Sequence, residues 1–245
     1  MNTMKAAVIT GVGEVEIHDI PVPELGPKEV LVKIGAASIC SWEQRTFIGK
    51  QKPGFPFLGG HENAGEVVAV APDVTMVAVG DRVTLGPTKC GKCRPCLRGQ
   101  DKACVEHFQY FSLKGGELGP GGFLEYKVHR EDGCFNVGDA PYELACLAEP
   151  LSCAVHGVRL MGMKKGDTAV VFGAGPMGLL NAMVLVHAGV DTAIVDMEEE
   201  RLALARKYGV PRTILSSGDA TEAILSEFPG GVDGVVTAIG SRAVN

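Results

Sequence analysis

The sequence predicts an α/β protein in two parts: a β-rich first domain closed on itself, then a doubly wound parallel sheet. Three features point there. Residues 1 to about 150 hold short β-branched segments separated by glycine and proline. From Thr168 onward, apolar strands alternate with helices. The turn from the first of these strands into its helix is a glycine cluster, Gly173-Ala-Gly175-Pro176-Met177-Gly178.

In the first part, strands are expected at Lys5 to Thr10, Val15 to Ile20, Val30 to Ile34, Glu66 to Val70, Arg82 to Leu85 and Phe123 to Val128. Pro21, Pro23, Gly26-Pro27, Pro53-Gly54, Gly80-Asp81 and Gly119-Pro-Gly-Gly122 separate them. In the second, the strands are Thr168 to Phe172, Thr192 to Asp196, a weak Thr213 to Leu215, and Gly234 to Ile239. Helices are expected at Pro176 to Ala188, Glu198 to Tyr208 and Ala220 to Glu227. Glu198-Glu-Glu200 opens the middle helix and Arg206-Lys207 closes it, matching the helix dipole, with Gly209 as a C-terminal cap. The domain border lies near Glu149 to Met161, on a helix begun around Leu144, giving domains 1–150 and 151–245.

Composition sets bounds. A net charge of -6 over 245 residues gives no reason to expect nucleic acid or an anionic membrane as partner. The start, Met1-Asn-Thr-Met-Lys-Ala-Ala, lacks the apolar core of a signal peptide, and Asn181 and His187 interrupt the apolar run Leu179 to Val190. Eight cysteines without a secretory signal suit a reducing compartment, where clustered thiols serve metals. The expected address is the cytoplasm.

His61 and Glu62 lie side by side in the stretch Phe57-Leu-Gly-Gly-His61-Glu62, before an apolar strand. An imidazole and a carboxylate can serve one borderline-soft ion but rarely hold it alone, and Cys40 is the candidate soft ligand. On its own the pair also reads as a turn histidine beside a solvated acid. Cys90, Cys93 and Cys96, at intervals of three, with Cys104 beyond, can close a tetrahedron around one ion in the loop 88–106. Such a site has no open position, so it is structural. Lys89, Lys92, Arg94, Arg98 and Lys102 interleave the thiols as if to offset their charge. A nucleic-acid zinc module is the rival reading, but no aromatic residue lies between Cys90 and Cys104 to stack on bases. In the second part, Gly173, Gly175 and Gly178 let backbone amides approach a pyrophosphate at the positive end of a helix. Asp196, closing the next strand, would accept ribose hydroxyls and repel a 2′-phosphate, which favours NAD over NADP. Arg201 is a candidate to lie over the adenine.

The order Cys40, Gly60-His61-Glu62 with Gly65, Gly80-Asp-Arg-Val83, the four cysteines, Gly121-Gly-Phe-Leu-Glu-Tyr126, Glu149-Pro-Leu-Ser and Gly173 to Gly178 resembles the zinc-containing medium-chain alcohol dehydrogenases. The polyol (sorbitol-like) and threonine dehydrogenase branch is the most similar. The resemblance covers essentially the whole chain. It implies a GroES-like β-barrel catalytic domain beside a Rossmann domain, with the active site in the cleft between them. It also implies two zinc ions per chain, a catalytic one on Cys40, His61 and a carboxylate and a structural one on Cys90, Cys93, Cys96 and Cys104. Two acids, Glu62 and Glu149, compete for the carboxylate position. Glu62 is expected to ligate at rest, while Glu149 hydrogen-bonds the zinc-bound water or substrate and exchanges with Glu62 as substrate enters.

Two departures stand out. After the metal cysteine the family reads Gly, a hydroxyl residue and Asp, whereas this chain has Ser41-Trp42-Glu43, with Arg45 where a relay histidine often sits. Trp42 thus replaces the hydroxyl that passes the alcohol proton outward; Ser41 is the candidate substitute, and the indole a candidate to shape the pocket. Nucleotide-binding sheets of this kind use about six strands, whereas four are readable before Ala243-Val-Asn245. The chain is therefore expected to be part of a longer protein and poorly active alone. The expected activity is hydride transfer between NAD and a secondary alcohol: a polyol, sugar derivative or amino-alcohol. A homo-oligomer is expected at full length. The alternatives are a zinc-free double-bond reductase of the same superfamily and a non-catalytic dinucleotide-binding protein.

Overall fold

The computed structural model describes residues 3–105, 111–112 and 118–240, so the readings of Met1, Glu106 and Ala243-Val-Asn245 lie outside the described residues. The chain divides into two compact units, Met1–Glu149 and Pro150–Asn245.

The first unit runs β1 (Thr3–Gly11), β2 (Glu14–Pro21), β3 (Glu29–Ser38), α1 (Ser41–Phe47), β4 (Glu62–Val70), β5 (Arg82–Leu85), α2 (Arg94–Leu97), β6 (Phe111–Ser112), β7 (Leu118–Gly119), β8 (Tyr126–Arg130), β9 (Cys134–Asn136) and α3 (Tyr142–Ala145). Five strands form an antiparallel sheet in the order β8-β3-β4-β5-β9. The β1–β2 hairpin is tied on by bridges from Ala6 to Leu124 and from Ile9 to Phe57. Val30, Val32, Val67, Val83 and Leu85 fill one core, and Met4, Val8, Ile20, Leu58 and Leu124 fill a second.

β3 and β4 pair further than their β-branched residues suggest. The pairing continues past Ile34 to Ser38 opposite Glu62, with register shifts at Leu31/Val32 and Ile34/Ala36. The added stretch is small residues, Gly35-Ala-Ala37 against Ala64-Gly65, which give no strand signal but allow close approach. A side chain at Gly65 would overlap the Lys33 carbonyl. α1 was not expected either: Trp, Thr and Phe are indifferent helix formers. It is held by its neighbours, with Glu43 accepting from the Gly60 amide at 3.0 Å.

The remaining elements are α4 (Ala148–Met161), β10 (Thr168–Phe172), α5 (Pro176–His187), β11 (Asp191–Asp196), α6 (Glu199–Lys207), β12 (Arg212–Leu215), α7 (Thr221–Glu227) and β13 (Gly234–Thr237). The strands form a parallel sheet, β12-β11-β10-β13. Alternate residues serve opposite faces, as the two-residue period requires. Ala169, Val171 and Ile194 pack with Leu185 of α5 and Leu202 of α6. Val170, Ala193, Val195 and Ile214 pack with Ala220 and Phe228, on either side of α7. The helix expected from Leu144 is two pieces, α3 and α4, with Pro150 in the first turn of α4, where a missing N–H is tolerated. By length and composition Tyr142–Met161 is apolar enough to cross a membrane, with a window of mean hydropathy 1.2. Glu143, Glu149 and Arg159 lie within it. In this fold Val158 is packed in the core of the parallel sheet.

Gly65→Ala should destabilise the first unit by about 1–3 kcal/mol, the usual cost of overpacking against backbone. Gly218→Ala, whose side chain meets open space, should change little. Equal urea midpoints for the two variants would show that the β3–β4 contact tolerates a side chain.

Candidate metal and dinucleotide sites

Three donors meet where β3 and β4 end. Cys40 is the N-cap of α1, His61 directly precedes β4, and Glu62 is its first residue. Their ligand atoms all lie within 4.8 Å of one another. Gly60, at φ 91°, makes the turn before His61.

Each donor is oriented from behind. Glu43 of α1, only 2% exposed, accepts from His61 Nδ1 at 2.9 Å and from the Gly60 amide at 3.0 Å. With Nδ1 engaged, Nε2 is the nitrogen left for a metal. Ser38 Oγ donates to Glu62 Oε2. The Trp42 amide and the Ser41 hydroxyl bond the Cys40 sulfur. Ser41 therefore faces the thiol. Trp42 packs edge-on against Phe57, ring centroids 5.0 Å apart, and Arg45 is exposed at the end of α1.

The charges have a consistent direction. The hydrogen bond to Glu43 is the main cause that raises His61 above its ordinary value; burial opposes it, and the charges of Glu149 and Glu62 add to it. Burial pushes the Glu43 carboxyl up, but bonds from His61 and the Gly60 amide outweigh this and hold it low. Burial raises the Cys40 thiol, and the charges of Glu62 and Glu43 raise it further. The two carboxylates thus disfavour ionisation of the Cys40 thiol, a conflict that a bound cation relieves. Thiolate, imidazole and carboxylate are a donor set that zinc takes, so the residues present fit the ion. Glu149, in the first turn of α4, is not in the three-donor set.

Cys90, Cys93, Cys96 and Cys104 form a second set, again with all ligand atoms within 4.8 Å. The Cys93 amide donates to Cys90 Sγ and the Cys90 amide to Cys104 Sγ, both at 3.3 Å. Amides of Cys96 and Val105 pull the Cys93 thiol down to about 6, while burial pushes Cys96 up to about 12. Four sulfurs converging under amide donors fit a closed tetrahedral ion. Lys89, one of the cations expected to offset the thiolates, pairs with Asp101 at 2.6 Å and also interacts with the charge of Cys96; the side chain of Lys102 lies outside the described residues.

In the second unit, Gly173 turns at φ 94°, and a side chain at Gly178 would overlap the Gly173 carbonyl, so α5 starts tight against β10. Gly175 caps α5 with Pro176 at its first position, and a side chain at Gly175 would enter open space in front of the helix. Met177 follows, partly exposed. That space fits an anionic group at the helix N-terminus. Asp196 Oδ2 accepts from the Ala174 amide at 2.6 Å and Oδ1 from the Glu198 amide at 3.0 Å. Arg201 lies beside Asp196 at 3.8 Å and Glu198 at 3.1 Å.

Two positioning groups escaped the sequence reading. Glu43 registered only as a departure after Cys40, and Ser38 not at all. The signal for Glu43 was an acid one turn beyond a metal cysteine. For Ser38 it was the strand register, which a single sequence does not show.

Comparison with known proteins agrees with this geometry. A family model described as the alcohol dehydrogenase GroES-like domain matches residues 26–139. The chain is 38% identical over 223 residues to D-altritol 5-dehydrogenase of Agrobacterium fabrum, covering 88% of this chain and 65% of that protein. It is 35% identical over 229 residues to sorbitol dehydrogenase of Bacillus subtilis, covering 90% and 64%. The chain thus spans a little under two thirds of the length of these relatives. A zinc-binding dehydrogenase from Sinorhizobium meliloti, solved bound to NADP, superposes with a TM-score of 0.85 at 31% identity, over 99% of this chain and 72% of that one.

In metal-free protein, His61 should titrate above 6.5, and Glu43→Gln should bring it down. The pair's contribution to stability is fully present below the unfolded histidine value near 6.5 and is lost as pH rises through the raised folded value. At the acid end it disappears as pH falls from 4.5 through the lowered Glu43 value. NMR titration of the His61 ring in chelated protein reads both; an unchanged midpoint in Glu43→Gln would remove Glu43 as the cause.

Proposed function

Because the chain belongs to the zinc-containing medium-chain alcohol dehydrogenase family, we propose that it serves hydride transfer between a secondary alcohol and NAD. The alcohol is a polyol, a sugar derivative or an amino-alcohol. The observation that carries this is the convergence of Cys40, His61 and Glu62 donors within 4.8 Å, with the far nitrogen of His61 already bonded to Glu43. Sorbitol and altritol dehydrogenases among the relatives support a polyol.

In this reading Cys40, His61 and Glu62 hold a zinc ion, and Cys90, Cys93, Cys96 and Cys104 hold another. The first ion, when bound, supplies a Lewis acid that lowers the pKa of the alcohol hydroxyl. Glu43 keeps His61 in one orientation and holds the proton on Nδ1. Glu149 takes a hydrogen bond from the substrate and can exchange with Glu62. Gly173, Gly175 and Gly178 admit the pyrophosphate to the amides that begin α5 beside Pro176 and Met177. Asp196 receives the ribose hydroxyls on lone pairs that its amide bonds leave, and Arg201 stands next to it. The hydroxyl that would pass the alcohol proton outward is not at Trp42, and Ser41 is bonded to Cys40. A zinc-free reductase and a non-catalytic dinucleotide binder both predict loss of the metal donors, and the donors are retained.

Metal counting tests the sites. The protein should hold two zinc ions per chain, and Cys93→Ser should lose about one. Glu62→Gln should weaken zinc retention, whereas Glu149→Gln should keep the metal and slow alcohol-dependent NADH formation. Loss of zinc in Glu149→Gln but not in Glu62→Gln would reverse the two roles.

Asp196 predicts tighter binding of NAD than of NADP, because a carboxylate repels the extra phosphate. Parallel fluorescence titrations compare them, and tighter NADP binding would sink the assignment.

A further inference from the structure

Glu62 is 6% exposed and stands in register with Ser38 across the β3–β4 ladder. Directly opposed residues in such a ladder hold their Cβ atoms roughly 4.5–5.5 Å apart, a span that a short hydroxyl side chain and a glutamate bridge together. Ser38 Oγ donates its one proton to Glu62 Oε2. The Ser38 hydroxyl is thus placed by the strand register that sets it opposite Glu62.

We propose that Ser38 is a positioning residue of the metal centre: its hydroxyl occupies Glu62 Oε2 and presents Glu62 to the metal through Oε1 alone. The proposal rests on Cys40, His61 and Glu62 being the ligands. A carboxylate with both oxygens free can chelate one ion with both, or rotate off it. Holding one oxygen in a hydrogen bond removes the first option and restrains the second. Glu43 does the corresponding work for His61, and the Trp42 amide and Ser41 hydroxyl do it for Cys40. Every member of the donor set then has an outer partner, which is how such partners raise affinity and fix geometry.

Cobalt(II) in place of zinc reads the site directly. The spectrum of this centre is the difference between the cobalt-loaded protein and cobalt-loaded Cys40→Ser, which keeps the four-cysteine site. Ser38→Ala should weaken metal retention against a competing chelator by about 10-fold or more. It should also lower the intensity of the cobalt d–d bands, as a two-oxygen carboxylate raises the coordination number. Ser38→Thr, which keeps the hydroxyl, should restore both, and Ser38→Gly provides a second hydroxyl-free variant should Ser38→Ala not fold. Hydroxyl-free variants that only melt lower, with wild-type spectrum and affinity, would overturn the proposal. If the protein and Cys40→Ser give the same cobalt spectrum, the ligand assignment itself fails, and the Ser38 proposal with it.

Discussion

The pairing of β3 with β4 is the constraint on which the first site depends. Cys40 lies two residues beyond the end of one strand and His61 one residue before the start of the other. Their approach is therefore set by the ladder between them. Side chains alternate across a sheet, so a slip of one residue would turn Glu62 to the opposite face and separate it from its neighbours. Gly65 keeps the ladder close, since any side chain there meets the Lys33 carbonyl. The two register shifts bend the strands before the final pair, Ser38 and Glu62, is reached. Backbone packing, more than any one ligand, gives the corner its shape.

That shape brings acids together at an electrostatic cost. Glu43, Glu62 and the Cys40 thiol occupy one small volume, and the charges of the first two oppose ionisation of the third. The fold meets part of this with donors. Amides of Gly60 and Trp42 and the hydroxyls of Ser41 and Ser38 each point at one of the three groups. The four-cysteine loop uses the same device, with amides aimed at its sulfurs. Donors alone do not offset the effect of the two acids on the thiol, whereas a bound cation would. In the proposed reading, an ion completes the energetics of both clusters.

Much of this was legible in the chain. The alternation after Thr168, the glycine turn and the cysteine spacing are local patterns, and local patterns survive in a single sequence. His61 and Glu62 could be named because adjacent residue types advertise metal chemistry, and Cys40 because it closes the apolar run Val30 to Ile39. What could not be read depends on pairing. The long ends of β3 and β4 are alanine and glycine, whose strand character comes from a neighbour. α1 is a weak helix by composition, and its role in carrying Glu43 beneath His61 appears only in three dimensions. The helix expected from around Leu144 is two pieces, and the break at Cys146-Leu147 carries no proline or glycine to announce it.

Asp196 shows how one side chain joins a structural task to the proposed binding task. Its Oδ2 holds the Ala174 amide inside the glycine turn, and its Oδ1 holds the Glu198 amide just ahead of α6. The carboxylate that would discriminate between dinucleotides is therefore also the brace between the end of β11 and the turn that admits their phosphates. Removing its charge to favour a 2′-phosphate would also remove a charge-assisted acceptor from a buried amide, which costs stability in its own right. Asparagine keeps an acceptor for that amide and alanine keeps none. At this position, then, loss of the proposed NAD preference and loosening of the glycine turn are separable only by a substitution that retains the acceptor.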